Sequence, residues 1–228
     1  MKKVICIVLV LLASLVVVAN AETDISQMSL EELYQLRSEI NDRIVALCSS
    51  MKEIQSEGDL GTIAELFPDE AFAKAIRNEL NKLSISQPVT QEELNSITKI
   101  YIGSSNAFGN INSIEGIGYL TNLESLYIVN YAAENMTSLP DELFSLTNLN
   151  CIFISGSSIK EVPSLIGNLI NLKTLSLGGS DITTLPNDLA NCKYLEKIDI
   201  SHTDITELPE VLYSLNLKEI DMAGLPIK

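Results

Sequence analysis

The chain has 228 residues, 46% of them hydrophobic, with 15 basic and 30 acidic side chains and a formal net charge of −15. So acidic a surface repels phosphate backbones and anionic lipid heads, which excludes nucleic acid as a partner. A single histidine and four cysteines leave little for metal or nucleophilic chemistry to draw on.

Lys2 and Lys3 precede an apolar run from Val4 to Val18, and Ala19-Asn20-Ala21 supplies the small residues of a cleavage site. Residues 1–21 therefore read as a secretory signal removed after Ala21. An uncleaved anchor is the alternative, but the run falls short of the roughly 20 residues a spanning helix needs. Cys6 lies too early in the run for a lipoprotein signal. No later hydrophobic segment or cell-wall sorting signal occurs, so the product is expected to be secreted, to the extracellular space or the cell envelope, and not to be an integral membrane protein after cleavage. Losing Lys2 and Lys3 makes the mature charge about −17. Cys48, Cys151 and Cys192 remain, an odd count that forbids complete disulfide pairing.

Residues 22–60 read as an amphipathic helix and linker. Ser29 and Glu32 form a capping-box pattern, and Leu33, Leu36, Ile40, Ile44, Leu47, Met51 and Ile54 recur at spacings of three and four. Such a stripe must be buried, either on the rest of the chain or on a second copy. Ser56 to Gly61, SEGDLG, reads as a flexible break.

Residues 61–96 read as a helical cap. FPDEAFAKAIRNELNK places Phe72, Ile76 and Leu80 on one face of a helix begun at Pro68 and Asp69. Thr90 and Glu93 form a capping box leading into the first strand.

From residue 97 to 228 the chain repeats itself. LTNLNCIFISGSSIKEVPSLIGN, LINLKTLSLGGSDITTLPNDLAN and CKYLEKIDISHTDITELPEVLYS are each 23 residues long, and LNLKEIDMAGLPIK is a partial copy. Leu149, Leu172 and Leu195 are in step, as are Ile152, Leu175 and Ile198, and Pro163, Pro186 and Pro209 close each unit. The unit around Leu126 carries an insertion near Tyr131 to Asn135. This is the leucine-rich-repeat pattern, in which one unit cannot bury its apolar face and only a stack makes a core. Six parallel strands, centred near Ile100, Leu126, Ile152, Leu175, Ile198 and Ile220, give a short arc of about six turns. The fold class is an α/β repeat, a leucine-rich-repeat solenoid with an N-terminal helical cap and a preceding amphipathic helix. The polar ladder position inside the turns is Ser157, Ser180 and Thr203, but Leu225 at the last turn. Cys192 stands where the other units have leucine and reads as a small buried hydrophobe. Cys151 is expected to point outward from its strand as an exposed thiol.

The run from Phe67 to Leu120 resembles the N-terminal cap and first repeat of internalin-like leucine-rich-repeat proteins secreted by bacteria, and with the later units the resemblance covers residues 67 to 228. It implies the scaffold. The ligand must be read from the exposed positions, because repeat families share a fold while their surfaces differ.

Strand positions between the core leucines alternate outward onto the concave face. The central outward column runs Tyr101, Tyr127, Phe153, Ser176, Asp199, Asp221, flanked by small residues that include Ser155. Stacked aromatics there either brace neighbouring turns or form a recognition surface. The expected partner-binding set is Tyr101, Tyr127, Phe153, Ser155, Ser176, Asp199 and Asp221. Asp199, Glu219 and Asp221 lack the loop spacing of a calcium site, so no metal or cofactor is expected. Cys151 lies about 10 Å from His202 by strand spacing, too far to share a proton, and no enzyme is expected. The chain is thus read as an extracellular module binding a protein or peptide. The alternative is a structural, self-associating envelope component assembled through the N-terminal helix and the uncapped C-terminal end, a possible homo-oligomer.

Overall fold

The computed structural model describes residues 58–103, 109–129 and 132–227, together with Ser29, Gln35, Glu39 and Asp42. The signal segment 1–21, the apolar stripe of residues 22–60, Cys48 and Tyr131 lie outside the described residues. Gln35, Glu39 and Asp42 are helical. The chain divides into two units, Met1–Gly58 and Asp59–Lys228. The second carries the cap and the repeats.

The cap opens with strand β1, Asp59–Thr62, paired antiparallel with β2, Pro88–Thr90. The stretch read as a flexible break therefore ends in a strand, and the boundary expected at residue 61 falls inside it. The reason is non-local: the hydrogen-bonding partner lies far along the chain, and the local Gly and Asp content does not reveal it. Thr62 begins the helix Ile63–Leu66 with a capping box, in which Oγ1 accepts the Glu65 N–H at 3.3 Å and Glu65 Oε2 accepts the Thr62 N–H at 2.7 Å. The next helix, Glu70–Glu79, is capped by Asp69, whose Oδ1 accepts the Phe72 N–H at 2.9 Å. Phe72 and Ile76 are fully buried and Leu80 packs at the margin of the core, as the helical spacing predicts. The Thr90–Glu93 capping box forms at the head of the helix Gln91–Leu94.

Asp69 and Gly116 help fasten this cap to the first repeat. Asp69 Oδ2 accepts the Asn112 and Ser113 backbone N–H groups at 2.9 and 3.3 Å. Gly116, with φ of +89°, lies so close to the Leu66 carbonyl that a Cβ would stand 2.0 Å from its oxygen. Only glycine adopts that backbone and leaves that space.

The repeats build one parallel sheet in the order β3 (Lys99–Gly103), β4 (Ser125–Val129), β5 (Cys151–Ile154), β6 (Thr174–Ser176), β7 (Lys197–Asp199), β8 (Glu219–Asp221). Ile100, Leu126, Ile152, Leu175 and Ile198 pair in register and point into the core. Behind the sheet each 23-residue unit has room only for a 3-10 turn: Ser164–Asn168 follows Pro163, Asn187–Asn191 follows Pro186, and Glu210–Ser214 follows Pro209. The proline carbonyl accepts the N–H three residues on, as in Ile166 N–H to Pro163 O at 3.0 Å. In the longer unit Ala132, Ala133 and Met136 are fully buried, while Glu134 and Asn135 are exposed.

Polar ladders tie turn to turn. Ser157 and Ser180, one turn apart, share a buried hydrogen bond of 2.8 Å between their hydroxyls, whereas Thr203 Oγ1 donates within its own turn to the Ile200 carbonyl at 2.8 Å. A second ladder uses amides: Asn122, Asn148 and Asn171 donate to the carbonyls of Asn95, Thr121 and Thr147 at 2.9, 3.1 and 2.9 Å. Strand β8 is the last of the sheet among the described residues, and Ile220 there is 37% exposed.

Candidate partner-binding face

The parallel register sets Tyr101 beside Tyr127, Tyr127 beside Phe153, Phe153 beside Ser176, Ser176 beside Asp199 and Asp199 beside Asp221. The expected column therefore forms as one continuous line across the sheet. Tyr101 and Tyr127 have ring centroids 6.2 Å apart at 37°, and Tyr127 and Phe153 stack at 6.2 Å and 25°. Tyr101 is 51% exposed, while Tyr127, Phe153 and Ser155 are half-buried. The ammonium of Lys99 stands 4.9 Å from the centre of the Tyr127 ring, within cation–π range.

Cys151 departs from expectation. Its strand position faces outward, yet it is buried at the foot of this cluster. Tyr127 covers it: a hydrogen bond between the phenol and the Cys151 thiol, with burial second, holds the Tyr127 hydroxyl above its ordinary pKa. A neighbouring aromatic one strand away reaches diagonally across a parallel sheet, which single-strand alternation cannot anticipate. Cys192 is buried as expected; its thiol donates to the Ile166 carbonyl at 3.3 Å, and burial pushes its pKa up to about 11.

Ser176 is also corrected. It is only 2% exposed and offers nothing to a ligand directly. Its hydroxyl instead donates to Asp199 Oδ2 at 2.7 Å, while Asp199 Oδ1 accepts from the Ser201 N–H at 3.0 Å and the Ser201 hydroxyl at 2.6 Å. Gly178 makes room for this carboxylate, since a Cβ there would meet both Asp199 oxygens at 2.9 Å. Short outward side chains beside a large one are covered by it, so outward position and exposure are separate properties.

Asp221 repeats the same local turn, Oδ1 accepting the Ala223 N–H at 3.0 Å, and is exposed. Lys197 and Glu219 pair across β7 and β8 at 2.6 Å, and that pairing, Glu219's hydrogen bond first, raises the Lys197 pKa. The face thus carries rings and one ammonium at its β3 to β5 end and, at its β7 to β8 end, two carboxylates with no ion-pair partner among the described residues. Sequence reasoning missed the roles of Lys99, Gly178 and Ser201. Their signal was present, since each sits one strand or two residues from a column member. Among the described residues, no three acidic, histidine or cysteine side chains lie together as a metal site.

Residues 55–95 match the Internalin_N family, described as the bacterial adhesion/invasion protein N terminal. The solved structure of an internalin C2 from Listeria monocytogenes strain 4b F2365 aligns with a TM-score of 0.65 at 29% identity, over 75% of this chain and 71% of that one. The chain is an internalin-like leucine-rich-repeat protein. Internalin C of Listeria monocytogenes serotype 1/2a is 32% identical over 90 residues, which span 37% of this chain and 29% of Internalin C. Both the matched cap and the matched arc agree with the resemblance read from Phe67 to Leu120. The internalin likeness places the described sheet on a bacterial leucine-rich-repeat scaffold.

Proposed function

We propose that this internalin-like chain is an extracellular binding module that holds a protein or peptide partner on the concave face of its sheet. The observation that carries this reading is the continuous line of rings from exposed Tyr101 to half-buried Tyr127 and Phe153, on a sheet whose opposite side is already filled by core leucines and isoleucines. Aromatic side chains contribute large contact area with few rotatable bonds, which makes them common anchors. Ser155 borders the rings, and Asp199 and Asp221 extend the surface, with Ser176 fixing Asp199 from beneath. The adhesion/invasion description of the matched cap family supports a role in contacting other proteins.

Self-association through strand β8 has the exposure of Glu219, Ile220 and Asp221 in its favour. Antiparallel pairing of two such edges would bring Glu219 and Asp221 of the two copies together, and like charges opposed on a sheet are destabilising.

Site-directed photo-cross-linking separates these readings. A benzophenone amino acid at Tyr101 should capture the partner, while the same probe at Tyr213, exposed behind the sheet, should not. Capture only at Tyr213, or capture only of a second copy of the chain, would overturn the concave-face reading.

A further inference from the structure

The two ends of the concave column are chemically unlike, and that asymmetry names the partner's chemistry. At the β3 to β5 end lie three rings with Lys99 above one of them. At the β7 to β8 end lie Asp199 and Asp221, while the nearby Lys197 is already neutralised by Glu219 at 2.6 Å. Asp199 is not a loose surface charge. Three hydrogen bonds from Ser176 and Ser201 orient it. A carboxylate has about four acceptor positions, so one remains for a ligand, and the charge is held ready without reorganisation. The chain's net charge of −15 adds a long-range field that draws cationic partners.

Resting on the concave-face reading, we propose that this face binds an extended polypeptide segment carrying an apolar or aromatic side chain and, four residues along, a lysine or arginine. The apolar side chain lies over Tyr127 and Phe153, and the cationic one reaches Asp199 and Asp221. The spacing follows from geometry: strands about 4.8 Å apart put the two aspartates roughly 10 and 14 Å from Phe153, and alternate side chains of an extended peptide recur so that i and i+4 are about 13 Å apart. Lys99 fixes the polarity. Its ammonium over Tyr127 repels a second cation from the ring end, so the basic side chain is directed to the aspartates.

The test is fluorescence anisotropy of the full chain with labelled Gly/Ser peptides. One carries Phe and Arg four residues apart, one carries Phe and Glu, and one carries Ser and Arg. The Phe–Arg peptide should bind about tenfold more tightly than Phe–Glu. That preference should fall to within about twofold in Asp199→Asn/Asp221→Asn, in which the amide oxygens can still accept the Ser201 and Ala223 N–H groups. Equal binding of the two Phe peptides, a preference that survives the double substitution, or no binding of Phe–Arg at millimolar concentration overturns the proposal. A charge-blind binding that disappears in Tyr127→Ala/Phe153→Ala would sink the cationic partner and leave the concave face standing. Undiminished Phe–Arg binding in that ring variant, or equal binding of the Ser–Arg peptide, would sink the ring contact itself.

Discussion

Tyr127 and Phe153 stack across β4 and β5 with ring centroids 6.2 Å apart, while Leu126 and Ile152, one residue back on the same strands, are fully buried. Neighbouring residues thus serve opposite faces of one sheet. Truncating a core side chain removes burial and leaves a cavity, whereas truncating a ring removes only a surface stack. Leu175→Ala should cost about 2 to 5 kcal/mol, and Phe153→Ala about 0.5 to 1.5 kcal/mol. Urea unfolding of both variants checks this; a Leu175→Ala midpoint equal to the parent's would contradict the repeat register.

Gly116 couples the cap to the repeats. Gly116→Ala must place a Cβ against the Leu66 backbone carbonyl, which cannot swing away as a side chain would. Gly109, at φ of +86°, has no described residue within 4 Å of its would-be Cβ and serves as the control. Gly109→Ala should cost about 1 to 2 kcal/mol from the left-handed backbone alone, and Gly116→Ala clearly more. Equal thermal shifts for the two would mean the cap does not bear on Gly116.

The buried hydroxyl pair Ser157–Ser180 makes a third expectation measurable. Either serine changed to alanine leaves its partner without that bond and should cost about 1 to 3 kcal/mol. The double substitution leaves no orphan between them, so its cost should fall below the sum of the singles by at least about 0.5 kcal/mol. Strict additivity in the cycle would show that the hydroxyls do not depend on each other.

Acid should loosen the cap through Glu93. Burial raises its pKa, but hydrogen bonds from Lys82 and from the Thr90 backbone and the charge of Lys82 outweigh it, leaving the carboxyl below its ordinary 4.5. A depressed carboxylate contributes stability that is present above its unfolded value and lost as pH falls through its folded one. Glu93→Gln should therefore melt below the parent at pH 6, with the gap closing as pH drops below about 4.5. A gap that is constant with pH would remove Glu93 from the acid response.

The register of the concave column was legible because a 23-residue period converts directly into strand alignment: once Leu149, Leu172 and Leu195 are in step, Phe153, Ser176 and Asp199 must be neighbours. Exposure was less legible. Cys151 lies under Tyr127 and Ser176 is covered beside Asp199, because the size of side chains on adjacent strands decides which outward residue reaches solvent. Strand β1 was hidden for another reason, since its partner Pro88–Thr90 is distant in sequence. The amide ladder of Asn122, Asn148 and Asn171 has a plain signal in the sequence, an asparagine before the first leucine of three successive units.

The concave face is tested most directly by the dissociation constant of the partner captured at Tyr101, measured for the parent and for Tyr101→Ala/Tyr127→Ala/Phe153→Ala. Each ring should contribute about 1 to 3 kcal/mol of binding, so the triple variant should lose at least about a hundredfold in affinity while still unfolding cooperatively. Parent-like affinity in a folded triple variant would contradict the account and move the site off the concave face.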